Sequence, residues 1–262
     1  MTAAPPEATD VHGDTHRIER VAIVTGASRG IGRAVALGLA SDGYRVALLA
    51  RGREDLEAVA AEIRSARGPA GAAPPALVMP GDVADASAVE AVVDEIARHT
   101  GRVDLLFNNA GIVRRGSSGL APRDIADMWA TNFLGPFSLV RSVAPIMVRQ
   151  KSGHVFNVSS RSGIFPKAKN GGYAATKAAL RALGAALYQE LAPHGIKVTT
   201  IFPSYVDTAQ SAGQVWLPDE RKIRPDDIHT VIRLLTALSP NASVQEIMVE
   251  CTHVVAHGEH YA

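Results

Sequence analysis

Two groups of residues in this chain could do chemistry together. The first is Tyr173-Ala174-Ala175-Thr176-Lys177, with a serine pair, Ser159 and Ser160, upstream. Four residues apart on a helix, a tyrosine and a lysine face the same way, their Cβ atoms roughly 5–6 Å apart. A phenol of pKa about 10 is a poor base at neutral pH. A neighbouring ammonium favours the phenolate, and a drop of about 3 units takes roughly 4 kcal/mol of differential stabilisation. Tyr173 could then exchange a proton with a carbonyl or alcohol oxygen. The second group is Thr25-Gly26-Ala27-Ser28-Arg29-Gly30-Ile31-Gly32, directly after a β-branched run. Gly26 permits a tight turn, Gly30 lets backbone approach a pyrophosphate, and Gly32 lets a helix pack closely on a sheet. Each has a plain reading alone: Tyr–Lys pairs decorate many solvated helices, and a glycine turn can simply link strand to helix. In one chain, in this order, they point to hydride transfer with a dinucleotide.

Such residues need an α/β frame to meet. Short apolar runs at 21–25, 45–50, 76–79, 103–107, 154–158, 197–202 and 245–249 alternate with helical patterns at 31–41, 53–66, 85–99, 122–150, 173–192 and 226–238. Strands separated by helices pair in parallel through right-handed crossovers. The expected fold is one doubly wound, Rossmann-type parallel sheet of about seven strands with helices on both faces. Residues 1–20 read as a flexible N-terminal arm and 21–262 as a single dinucleotide-binding and catalytic domain. The Gly/Pro/Ala-rich stretch 68–75 reads as a loop. The aperiodic stretch 209–223 follows a strand end, where ligands sit, and reads as a substrate lid in which Trp216 packs.

Composition narrows the possible partners. With 47% apolar residues the chain can bury a substantial core, and a formal net charge of +1 gives no basic field for nucleic acid or an anionic membrane. No apolar run reaches the roughly 20 residues that cross a bilayer, and the polar N-terminus is no secretory signal. The single cysteine, Cys251, suits a reducing compartment, so a cytoplasmic protein is expected. Cys251, His253, His257 and His260 are metal-ligand types, but their spacing fits no zinc pattern, and no metal is expected.

Cofactor choice turns on the end of the second strand, where a carboxylate would bind the ribose 2′-hydroxyl of NAD. That position reads Ala50-Arg51, and Arg29 sits in the glycine turn. Two guanidinium groups suit a 2′-phosphate, so NADP(H) is favoured; two solvated surface arginines are the plain alternative.

Over about 21–208 these segments resemble the short-chain dehydrogenase/reductase family. Its glycine turn corresponds to Thr25–Gly32, its adenine-side Asp-Val to Asp82-Val83, and its strand-four motif to Asn108-Asn109-Ala110-Gly111. The resemblance implies a catalytic set of Asn132, Ser160, Tyr173 and Lys177, with Ser160 rather than Ser159 in the serine role. It implies that Tyr173 donates the proton in reduction while Ser160 hydrogen-bonds the substrate oxygen. Lys177 would depress the tyrosine pKa and bind the nicotinamide ribose, and Asn132 would hold a relay water. The cofactor would meet Gly26, Ser28, Arg29, Gly30, Ile31 and Gly32 at the turn and Arg51, Asp82 and Val83 on the adenine side. It would meet Asn109, Ala110, Gly111, Tyr173, Lys177, Pro203, Val206 and Thr208 toward the nicotinamide.

The chain also departs from the family. Ser204 replaces a glycine after Pro203, with a shifted lid as the expected consequence, and Glu250-Cys251-Thr252 stands where Asp-Gly-Gly is usual. The alanine-rich stretch 174–191 fits helix-packed dimers or tetramers, or tight packing on its own sheet. Arg114, Arg115 and Arg161 flank the expected cleft as possible carboxylate partners or as solvated arginines. The function expected is an NADP(H)-dependent oxidoreductase interconverting a small carbonyl compound and a secondary alcohol. Two rivals keep the fold: a non-catalytic NADP(H) sensor or scaffold, and a sugar-nucleotide epimerase or dehydratase. The intact catalytic set opposes the first. The short stretch after Thr208 opposes the second, since such enzymes usually carry a larger C-terminal substrate domain.

Overall fold

A strand buried on both faces must be apolar at every position, because successive side chains point to opposite sides. β1 (Arg20–Thr25) shows this: Ala22 and Val24 enter one core, Val21 and Ile23 the other, and none is exposed. In the computed structural model, which describes residues 19–66, 76–212 and 216–256, β1 is central in a seven-stranded parallel sheet. The other strands are β2 (Tyr44–Ala50), β3 (Leu77–Pro80), β4 (Leu105–Asn108), β5 (Gly153–Val158), β6 (Ile196–Pro203) and β7 (Glu246–Val249). Their order is β3-β2-β1-β4-β5-β6-β7, with every pairing parallel. The direction of winding reverses between β1 and β4, which opens a crevice above their carboxyl ends.

Helices cover both faces. α1 (Gly30–Ser41), α2 (Arg53–Ala66) and α7 (Pro225–Thr236) pack through Leu39, Leu56, Ile63 and Ile232 onto Val24, Leu48 and Phe107. α3 (Ala86–Thr100), α5 (Gly135–Gln150) and α6 (Gly171–Leu191) place Val93, Val143 and Leu191 against Ile23, Leu106 and Val155. Asp85 starts α3 by accepting from the Ser87 and Ala88 amides, and Gly101, at φ +70°, closes it. A five-residue helix, α8 (Thr252–Ala256), follows β7.

The helical stretch over 122–150 is present and continuous, and it contains a feature the pattern did not show: a π-helical turn (Ala130–Leu134) joins α4 (Pro122–Trp129) to α5. Pro136 has no N–H for the carbonyl of Asn132 four residues earlier, so the regular ladder cannot run through this point. The expected arm over 1–18, the loop 68–75 and lid residues 213–215 lie outside the described residues, as do His257 and His260. No described helix is long and apolar enough to cross a membrane.

Candidate active site

Tyr173 lies one turn into α6, and both it and Lys177 face inward, 7% and 3% exposed. The segment after β5 holds them there. Ser159 Oγ donates to the Lys177 carbonyl at 2.8 Å, and Lys177 Nζ donates to the Val158 carbonyl at 2.8 Å. Gly163, in the 3₁₀ turn Arg161–Gly163, lies so close to α6 that a Cβ would come 2.9 Å from the Lys177 backbone. Ser160 begins that turn, accepting from the Ser162 amide at 3.1 Å, and its hydroxyl also bonds the Tyr173 hydroxyl. The two serines are thereby separated: Ser159 ties strand to helix, and Ser160 faces the phenol.

The electrostatics differ from the expectation. Burial pushes the Tyr173 phenol above its ordinary value, while hydrogen bonds from Ser160 and Gln210 pull it back in part. The Lys177 ammonium adds no resolved downward pull, because it is turned to the Val158 carbonyl and lies 5.8 Å from the tyrosine ring centroid. Burial also lowers Lys177 itself, to about 8. Desolvation of the phenolate outweighs a cation that is not aimed at its oxygen.

Asn132, fully buried in the π-helical turn, has a different task from the one expected of its amide. Its Oδ1 accepts from the Ile112 amide at 2.8 Å, while Nδ2 donates to the Ile112 carbonyl at 2.9 Å and to Thr176 Oγ1 at 3.1 Å. Its side chain is thus tied to the protein, while Pro136 leaves the Asn132 backbone carbonyl without the ordinary helical donor four residues on. Gly111 leaves space beside this group, since a Cβ there would lie 3.4 Å from Asn132 Oδ1 and 3.5 Å from Lys177 Nζ.

The nucleotide end is built from backbone. Gly26 and Gly30 have φ of +63° and +56°, and a Cβ on Gly32 would fall 2.1 Å from the Gly26 carbonyl oxygen. The first turn of α1 has no side-chain cap from Arg29, so its amides face the crevice at the positive end of the helix dipole. Thr25 supports this turn: its Oγ1 accepts from the Asn109 and Ala110 amides at 2.9 Å, and Asn109 Nδ2 donates to the Thr25 carbonyl at 2.9 Å. Asn109 is therefore a stitch between β1 and β4 as well as part of the cleft wall. Val83 is 6% exposed and packs in the core, where the Gly135 backbone closes on it. Ser28 is half-buried, Arg29 and Arg51 are exposed, and Arg51 Nη1 lies 4.0 Å from Asp82 Oδ2. This uncapped, glycine-lined crevice fits a dinucleotide.

Between the two ends lies a cleft of about 270 Å³. Ile31, Asn109, Gly111, Ser160, Tyr173, Lys177, Pro203, Val206 and Thr208 all line it. The structure thus brings three of the four catalytic candidates to one cavity and sets Asn132 behind Gly111. Thr208 reaches back over the turn, within 3.1 Å of where a Gly30 Cβ would sit. Ser204 takes no positive φ, so serine is unstrained where the family has glycine and gives no cause for a shifted lid. In the lid, Trp216 meets Tyr205 edge-on at 5.2 Å, and buried Lys222 ties the Ser211 carbonyl to Asp219. Three contributors escaped the sequence reading. Thr25 and Thr176 look like ordinary helix and strand threonines, and Gln210 carries no spacing signal. Only the position of Thr25 at the head of a glycine turn could have marked it.

The short chain dehydrogenase family model matches residues 20–215. A 3-oxoacyl-[acyl-carrier-protein] reductase of Staphylococcus aureus is 38% identical over 192 residues, covering 72% of this chain and 76% of the relative. A betaketoacyl-[ACP] reductase structure from Bacteroides thetaiotaomicron gives a TM-score of 0.80 at 36% identity, covering 91% of this chain and 99% of that one. An alcohol dehydrogenase from the archaeon Thermococcus sibiricus, complexed with 5-hydroxy-NADP, gives 0.81 at 30% identity, covering 90% and 97%.

Proposed function

The chain belongs to the short-chain dehydrogenase family, and on that premise we propose that it is an NADP(H)-dependent oxidoreductase interconverting a carbonyl and a secondary alcohol. One observation carries the reading: a buried tyrosine whose hydroxyl meets Ser160, one helical turn from a buried lysine, in a cleft continuous with a glycine turn. A bound nicotinamide supplies or accepts the hydride. In reduction, Tyr173 Oη gives its proton to the substrate oxygen, and Ser160 Oγ donates a hydrogen bond to the same atom. Lys177 keeps a cation beside the pair and is placed to hold the nicotinamide ribose. Asn132 orders the backbone at Ile112, so that its own carbonyl can accept from a water that carries protons between Lys177 Nζ and solvent.

The uncapped start of α1 with Gly26, Gly30 and Gly32 takes the pyrophosphate, and Arg29 and Arg51 take the 2′-phosphate. The reading places the protein in the cytoplasm, supported by its one cysteine. It also includes self-association. Ala175, Ala178, Ala182, Ala185 and Ala186 face outward on α6, beside an apolar groove of about 410 Å³ against α5 where Phe137 is 46% exposed. Sedimentation at micromolar concentration should give a dimer or tetramer, and Phe137→Glu should shift it toward monomer.

The deciding experiment is Tyr173→Phe, assayed for carbonyl reduction with NADPH. Turnover should fall by at least about 10³-fold while NADPH binding is retained, since only the proton donor is removed. Retained turnover overturns the mechanism.

A further inference from the structure

Ser160 heads a 3₁₀ turn of only three residues, Arg161–Gly163. So short a turn has weak hydrogen bonding of its own, and what packs against it decides where the serine hydroxyl points. On one side stands the approach to α6. Asn170 Nδ2 donates to Ser162 Oγ at 3.1 Å, and a Cβ on Gly163 would come 2.9 Å from the Lys177 backbone. On the other side comes the segment after β7, where Glu250 Oε1 accepts from Arg161 Nε at 2.9 Å.

The three arginines expected around the cleft have different surroundings. Arg114 turns to Asp124, at 3.7 Å, and does not line the cleft. Arg115 is exposed and lines it. Arg161 is 6% exposed, with its guanidinium 5.3 Å from the Phe165 ring centroid, so it is not a solvated arginine. Its bond to Glu250 ties the turn to a distant part of the chain.

Glu250 reaches Arg161 from a fixed platform. The Val249 carbonyl before it accepts from the Ser204 amide at 2.9 Å. Cys251 after it is 2% exposed, and its thiol donates to the Arg221 carbonyl at 3.2 Å. The second carboxylate oxygen, Oε2, is buried and makes no hydrogen bond. In an ion pair this enclosed, desolvation offsets much of the attraction, so the pair supplies direction more than net stability. Glu250 does not itself line the cleft, and it stands in the segment where the family's Asp-Gly-Gly is missing.

We propose that Glu250 is a positioning residue: by holding Arg161 it sets the turn that aims Ser160 Oγ at the substrate oxygen beside Tyr173. This rests on the oxidoreductase reading for the role of Ser160. The segment after the last strand thus acts on the reacting centre from outside the cleft.

The test combines amide hydrogen exchange with kinetics on the full chain. Glu250→Ala should speed exchange over 161–165 by about tenfold while β5 and α6 keep their protection. The carbonyl probes are ethyl acetoacetate, 2,3-butanedione and cyclohexanone, each with NADPH and NADH. In Glu250→Ala, kcat should fall about tenfold while KM and dinucleotide affinity stay within about twofold. Glu250→Gln keeps an acceptor for Arg161 Nε and should recover most of both losses. Because Glu250→Ala also takes an anion from a buried guanidinium, a second variant, Arg161→Met with Glu250→Leu, removes both charges and should show the same loss of kcat. A cycle with Ser160→Ala separates positioning from general weakening: in that background Glu250→Ala should cost less than about twofold. Equal losses with and without Ser160, unchanged exchange over 161–165, or parental kcat in the apolar pair would each overturn the inference. If the parent reduces none of the probes, the role of Ser160 falls with the oxidoreductase reading, and exchange still decides whether Glu250 holds the turn.

Discussion

The two ends of the cleft are built from different material. At the catalytic end, buried side chains each have a named partner: Tyr173 with Ser160, Lys177 with Val158, Asn132 with Ile112 and Thr176. At the nucleotide end the working surface is backbone, and the side chains expected to choose the cofactor, Arg29 and Arg51, stand in water. The contrast teaches where each end is vulnerable. Removing atoms harms the first, and adding atoms harms the second. Chemistry that needs a proton at one point benefits from groups locked by neighbours, whereas a phosphate chain is met well by amides that glycine leaves uncovered.

Four changes sharpen or break this comparison. The largest effect belongs to Gly32→Ala, whose new Cβ would lie 2.1 Å from the Gly26 carbonyl oxygen, so the turn must move. Dinucleotide affinity should fall by at least about 100-fold in a fluorescence titration, roughly 3 kcal/mol. Unchanged affinity would show that the turn does not need its close approach. Next is Asn132→Ala, which strands the Ile112 amide and carbonyl in the interior. Urea denaturation should show a loss of about 2–4 kcal/mol, and a loss below about 1 kcal/mol would mean the π-helical turn is held by other means.

Lys177 gives a smaller effect of opposite sign. Burial lowers its folded pKa to about 8, below the unfolded value of 10.5. The folded state therefore favours the neutral amine, and stability rises with pH between about 8 and 10.5. At pH 7 the buried charge costs roughly 3 kcal/mol, partly offset by about 1 kcal/mol from its bond to Val158. Lys177→Met should be about 2 kcal/mol more stable than the parent at pH 7, lose that advantage above about pH 10, and be inactive. A variant less stable at pH 7 would contradict a strained cation at the site. The smallest effect is Arg51→Asp, expected to weaken NADPH about tenfold relative to NADH, since an exposed guanidinium gains little from a phosphate in water. Equal changes for both cofactors would remove Arg51 from the 2′-phosphate site.

Much of this was legible in residue order because it depends on local rules. Alternating β-branched runs and amphipathic stretches gave the parallel sheet, since burial on both faces demands apolar strands. Tyr173 and Lys177 could be paired by helical spacing alone, and Gly26, Gly30 and Gly32 by the absence of Cβ atoms where a turn must tighten. The π-helical turn was less visible, because the pattern over 122–150 is continuous and only Pro136 hints at the break. Resemblance alone chooses Ser160 over Ser159 for the serine role, and the tie that Ser159 makes to the Lys177 carbonyl is visible only with α6 set against β5.

By itself, the order of residues determined the alternation of strands and helices, the position of the glycine turn and the helical phase that puts phenol and amine on one face. Those follow from contacts within a few residues. Tertiary structure decided how the groups are tuned. The ammonium turns to Val158 and not to the phenol, Asn132 joins Ile112 to Thr176, and Glu250 reaches Arg161 across 89 positions of chain. Desolvation and long-range partners act through distances in space, and no local pattern encodes them.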